Sequence, residues 1–158
     1  MGMHFYDWRN ITLLIDGVKV TGWWEGDDVL GFKRVADSVT TGVGVDGEMF
    51  VSLNADKRVT LTIKLAQTSP MNAQLSTTVA AQDRMATLVP VQALFMDHYR
   101  QDKGVTTLGI IKKHADIERG GKIAGQTWEM EFAEGHMLLG NSTFAGLATA
   151  AAEALGAL

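Results

Sequence analysis

The chain has 158 residues and a mass of 17.1 kDa, enough for one domain with a substantial core. Apolar residues make up 46% and charged residues 20%, which excludes wholesale disorder. There are 14 lysines and arginines against 18 aspartates and glutamates, giving a net charge of −4 and a pI near 5.5. A protein that grips phosphates from outside would carry the opposite balance. Cysteine is absent, so disulfides, thiolate metal sites and a cysteine nucleophile are excluded. The opening residues Met1 to Trp8 lack the basic and apolar regions of a secretory signal. The apolar-rich stretch Phe144 to Leu158 carries Glu153 and is too short to span a bilayer. The expectation is a soluble protein made in a cytoplasm, with no membrane partner.

In chain order, Ile11 to Ile15 and Val18 to Trp23 flank Asp16-Gly17, the two-residue sequence favoured in a type I′ hairpin. Met49 to Leu53 and Val59 to Leu65 are separated by Asn54-Ala55-Asp56-Lys57 and read as a second hairpin. Arg58 to Ala66 alternates, with Val59, Leu61, Ile63 and Leu65 on one face and Arg58, Thr60, Thr62 and Lys64 on the other. A period of two over this length predicts a strand with one face buried and one wet. Ser69-Pro70 supplies an N-cap and a first-turn proline, and Met71, Leu75 and Val79 follow at helical spacing. Leu88 to Phe95 and Thr106 to Ile111 flank a polar turn at Asp102-Lys103-Gly104. Gln126 to Phe132 alternates again, with Trp128, Met130 and Phe132 opposite Thr127, Glu129 and Glu131. The alanine-rich tail after Asn141-Ser142-Thr143 has high helix propensity but small side chains, so a helix there must dock to persist. The chain is mainly β with one internal helix, and no linker or repeat divides it.

Glu25 to Glu48 stands apart, with six acids, two bases and several glycines around the run Val39-Thr-Thr-Gly-Val-Gly-Val-Asp-Gly47. A long loop with apolar residues and no local partner either folds back or reaches another chain, and the second reading is preferred. Gly42-Val-Gly44-Val-Asp-Gly47 spells the dinucleotide fingerprint, but Glu48 to Leu53 reads as a strand where the fingerprint needs a helix N-terminus. His4, His98, His114 and His136 show no zinc spacing. His98 with Asp97, or His114 with Asp116, could be drawn as base and orienter, yet no serine elbow accompanies either. Glu25, Asp27 and Asp28 lack the spacing of a calcium loop. Trp23-Trp24, near Trp8 and Phe5, reads as one core ring and one interface ring. No catalytic constellation, metal site or cofactor site emerges.

Five stretches, taken in order, resemble the PhiTE-like tail tube proteins of contractile-tailed phages. They are the strand pair at Asp16-Gly17, Gly31-Phe-Lys-Arg-Val-Ala-Asp37 leading to Gly47, and the strand Leu61 to Leu65. Ser69-Pro70-Met-Asn72 opening a helix that ends near Asp83-Arg84, and Thr127-Trp-Glu-Met-Glu-Phe132, complete the set. The resemblance covers most of residues 5 to 135 and leaves the tail after Gly140 unexplained.

It implies a single tail-tube domain over 1–158: a β-sandwich or half-barrel with one packed internal helix and a long inter-ring loop. Six copies would close into a β-barrel ring, and rings would stack into a hollow tube, a plan shared with type VI secretion tubes. The implied contact loop is 36–48, with Asp37, Val39, Thr40, Val43, Val45 and Asp46 touching the neighbouring ring. The arms at 1–9 and 140–158 would contribute Phe5, Trp8, Phe144 and Leu147. Lumen-facing candidates are Thr60, Thr62 and Lys64, with Glu129 and Glu131 as the rival set. Implied partners are a sheath protein, a tape-measure protein, baseplate and tail-terminator proteins, and DNA in passage. The implied location is the virion tail, after assembly in the host cytoplasm. A lumen lined by acids or small hydroxyls would let DNA slide, and apolar coil at Val39 to Val45 would order only against the next ring. The alternatives are a tube protein of a type VI or related contractile injection system, and a small hydrolase or binding domain using His98 or His114.

Overall fold

The computed structural model describes residues 2–140. Two antiparallel sheets stack face to face over a common core, with a helix at one side and a separate two-stranded hairpin. After a short 3-10 turn at Trp8–Asn10, the first sheet is built from β1 (Ile11–Ile15), β2 (Val18–Lys19), β7 (Ala93–Asp97), β8 (Lys103–Thr106) and β11 (Gly135–Leu138). Its strand order is β11-β8-β7-β1-β2. The second sheet contains β3 (Leu30–Arg34), β6 (Val59–Ala66), β9 (Gly109–Lys113) and β10 (Gly125–Phe132), in the order β3-β6-β10-β9. The hairpin consists of β4 (Val39–Val43) and β5 (Met49–Leu53).

The two long alternating segments form the centre of the second sheet. β6 and β10 pair along their whole length, from Gly125 opposite Ala66 to Phe132 opposite Val59. Their inward residues Leu61, Ile63, Leu65, Trp128, Met130 and Phe132 are buried against Leu13 and Ile15 of β1. Such a two-layer stack is how two half-apolar sheets each lose their wet face. The turn between β1 and β2 takes left-handed dihedrals at both Asp16 and Gly17, as the type I′ reading requires.

The helix α1 (Pro70–Met85) starts where Ser69 and Pro70 place it. The Ser69 hydroxyl accepts the Met71 N–H and donates to the Thr21 carbonyl, tying the helix start to the strand crossover. Met71 and Leu75 are buried and Val79 packs at the edge of the same cluster. Asn72 accepts the Trp128 indole N–H at 2.9 Å and donates to the Ala66 carbonyl at 2.8 Å. One side chain thus joins α1 to both central strands.

Three expectations change. Met49 to Leu53 does not pair with β6: it pairs with Val39 to Val43, so the segment expected to be coil is a hairpin with its own partner. Its tip is closed by Gly44 and Glu48, by Gly47 at positive φ, and by the Asp46 carboxylate on the Glu48 N–H. Asn54 to Lys57 is a side-chain-bonded connector that carries the chain from the hairpin to β6. Second, Thr106 to Ile111 is not one strand, because the chain crosses between sheets at Thr107-Leu108. Gly109 permits the crossing, since a Cβ there would collide with the Glu131 carbonyl and the Phe132 backbone. Third, β2 is only two residues long, and Trp23 instead bridges to Leu65 of the second sheet.

Candidate assembly surfaces

The outward face of the second sheet brings the two rival lumen sets together. Thr60 stands opposite Glu131, Thr62 opposite Glu129 and Lys64 opposite Thr127. Lys33 of β3 flanks Thr60, and Gly31 flanks Thr62. On the far side a β-bulge places both Lys112 and Lys113 beside Glu129. The result is a flat polar surface with small residues at its centre.

The acids on this face do not stand as free charges. Glu131 accepts Arg58 at 2.9 Å and lies 3.6 Å from the Lys112 ammonium, which is also 3.8 Å from Glu129. Arg58 is held in turn by Asp56 at 2.8 Å. Hydrogen bonds from the Arg58 guanidinium and backbone lower the Asp56 pKa to about 2, and the pairing raises that of Arg58. Lys33, Lys64 and Lys113 reach no carboxylate among the described residues. The acid-lined wall expected from the sequence is therefore a mixed surface with neutralised acids and spare lysines.

The β4–β5 hairpin is exposed on both sides, and its register sorts its side chains. Val39 pairs with Leu53, Thr41 with Val51 and Val43 with Met49, so five apolar side chains share one face. Thr40, Ser52, Gly42 and Phe50 share the other. On the apolar face Val43 is 73%, Met49 64%, Val51 57% and Leu53 86% exposed. Asp37 precedes β4, while Val45 and Asp46 sit in the tip. The sequence reading placed contacts on the first half of this hairpin only. Met49, Val51 and Leu53 became visible once β5 was paired with β4.

The N-terminal arm lies on the sandwich. Phe5 meets the Tyr99 ring edge-on at 6.4 Å, and Trp8 meets Trp23 at 5.3 Å. Asp7 caps the 3-10 turn and grips Arg9, whose hydrogen bonds hold the Asp7 carboxyl below its ordinary range. Behind the arm an apolar cleft of about 310 Å³ opens between the sheets, lined by Tyr6, Trp8, Leu30, Phe32, Phe95 and Met137. Phe144 and Leu147, the other arm candidates, lie outside the described residues.

The drawn histidine pairs do not form. His98 bonds to the Thr12 hydroxyl at 3.1 Å, while the Asp97 carboxylate accepts the Tyr99 and Arg100 N–H groups and closes a turn. His114 bonds to Ser76 and to the Ala115 carbonyl, with its ring 4.6 Å from Trp128. Gly42 to Gly47 leads into β5, with no helix to hold a pyrophosphate. Among the described residues, no group of three or more His, Cys, Asp or Glu is placed to hold a metal.

The model of the family described as bacteriophage PhiTE tail tube protein matches residues 4–140. The chain belongs to the PhiTE tail tube family. Membership makes it a structural protein of a phage tail and a virion component. The tail tube fold is also similar to a solved structure titled the anti-feeding prophage cap, a tube-terminating cap. The TM-score is 0.58 with 7% identity, over 88% of this chain and 94% of that one. At that identity the likeness concerns the fold alone. No curated protein matches the sequence.

Proposed function

We propose that this tail protein assembles with copies of itself into hexameric rings that stack into the inner tube of a contractile tail. The observation that carries the reading is the β4–β5 hairpin, a two-stranded ribbon with five aligned apolar side chains and no cover in its own chain. A lone two-stranded ribbon is marginal in water, so this face needs a partner surface, and repetition in a tube supplies one from the next copy. A head-to-tail contact that does not close gives an open filament, as a tube of variable length requires. The edge strands β3 and β9 of the second sheet are the places where neighbouring sheets would join into one barrel. In that arrangement the face bearing Thr60, Thr62, Lys64, Glu129 and Glu131 lines the lumen. The tube would be wrapped by a sheath, enclose a tape-measure protein, end at baseplate and terminator proteins, and conduct DNA into the host. Assembly would take place in the host cytoplasm.

Negative-stain microscopy of the purified protein across a concentration series, with light-scattering mass, tests this directly. Rings or hollow tubes that lengthen with concentration are expected, and an enzyme-like monomer or dimer that never assembles, even on preformed tube ends, refutes it. The likeness to a prophage tube cap favours a second reading, a tube protein of a related contractile injection system. Cargo separates the two, since a phage tube passes DNA and an injection tube passes protein.

A further inference from the structure

The cleft behind the N-terminal arm has four aromatic residues in its wall, Tyr6, Trp8, Phe32 and Phe95, and no side chain filling it. The chain leaves β11 at its mouth. Leu139 lines the cleft, and the Gly140 N–H donates to the carboxylate of Asp102, another lining residue, at 2.6 Å. Gly140 has a φ of +68°, a left-handed turn that bends the chain there instead of extending β11. Four residues further on stands Phe144, the only aromatic residue after Gly140. Four residues span at most about 14 Å, so Phe144 is tethered close to the rim. We propose that Phe144 of the same chain seats in this cleft and closes the open end of the sandwich.

The match is chemical as well as spatial. An aromatic ring placed among four others gains edge-on and offset contacts beyond its buried area. The segment 141–158 carries one charge, at Glu153, so its first turns bring none into the apolar cleft. The competing surface is the outward face of the first sheet, with Leu14, Leu94 and Val105, but Lys103 and His136 stand among these side chains. The Asp102 tie also draws the chain toward the cleft rim.

The chain has no cysteine, so an engineered disulfide has no competitor. Leu30→Cys with Phe144→Cys, oxidised mildly in the full-length protein, tests the seat; Leu94→Cys with Phe144→Cys samples the rival surface. A disulfide forms only when the Cα atoms come within about 7 Å. The expected result is a faster-migrating monomer band for the Leu30 pair, independent of protein concentration. Disulfide-linked dimers would assign the cleft to a second copy, and a bond in the Leu94 pair would assign Phe144 to the outer face; either overturns the proposal, as does no bond in either pair. A second measurement leaves the core untouched. In Phe144→Ala the amides of Lys103 to Thr106 should exchange about tenfold faster or more, the effect of losing one buried aromatic side chain. Unchanged exchange there overturns the proposal as well.

Discussion

Leu53 separates assembly from folding. Its side chain is 86% exposed at the end of β5, on the apolar face of the hairpin. Truncation to alanine removes about three methyl or methylene groups, worth roughly 0.8 kcal/mol each when fully buried. Scaled by the exposed fraction that a neighbouring copy can still cover, the loss to assembly is about 2 kcal/mol. That corresponds to a critical concentration for tube growth raised roughly 30-fold. The subunit's own stability should hardly change, since a surface substitution away from caps and cores stays within about 0.5 kcal/mol. Met49→Ala, with 64% exposure, adds a smaller increment, and Ser52→Ala on the opposite face should leave the critical concentration alone. Sedimentation across a dilution series reads the first quantity and urea unfolding of the subunit the second. Unchanged growth in Leu53→Ala, or a matching fall in subunit stability, would show that this face has no intersubunit role.

Three further outcomes follow from the interior and from the charged surface. Asn72→Ala strands the Trp128 indole N–H in the core and should cost about 1–3 kcal/mol in urea unfolding, with no direct effect on the hairpin. Gly109→Ala forces a Cβ into the backbone of β10, and soluble expression with native circular dichroism would disprove the close approach at the sheet crossover. The Asp56 carboxyl should titrate near pH 2 by NMR, and Arg58→Ala should return it toward its ordinary value of 3.8. Because the folded pKa is the lower one, any stabilisation from this pair is complete above the unfolded value and fades as pH falls from about 4 toward 2. A midpoint unmoved by Arg58→Ala would remove the guanidinium as the cause.

Some of this architecture could be read from the residues alone because one face of an element is buried and the other is not. β6 and β10 alternate cleanly for that reason, and Met71, Leu75 and Val79 mark the inner side of α1. Ser69-Pro70 and Asp16-Gly17 were legible because capping and left-handed turns restrict residue choice strongly. The β4–β5 pairing was not, since both faces of that ribbon are exposed in the subunit and no burial contrast distinguishes a strand from apolar coil. The crossing at Thr107-Leu108 was hidden because Thr106 to Ile111 carries apolar residues on either side of the break. Treating Thr62 and Glu129 as rivals had a similar origin: alternation gives each strand's faces, but only the pairing register between strands tells which faces coincide.

That register also changes the electrostatic argument for a DNA conduit. The outward face of the second sheet carries Lys33, Arg58, Lys64, Lys112 and Lys113 with Asp56, Glu129 and Glu131, an excess of positive charge on a protein that is negative overall. Opposite charges a few ångströms apart cancel beyond their own spacing, and salt screens the remainder within about 8 Å, so such a wall neither repels a polyanion strongly nor locks onto it. The two glutamates perform that cancellation. Glu129→Gln with Glu131→Gln should turn the wall into a basic stripe, and tubes of this variant should retain short DNA at low ionic strength and release it as salt rises. Wild-type tubes should retain much less, and subunit unfolding curves confirm that the variant still folds. If the variant tubes hold no more DNA than wild type at any salt concentration, this face does not line the lumen, and the first sheet must be the one that does.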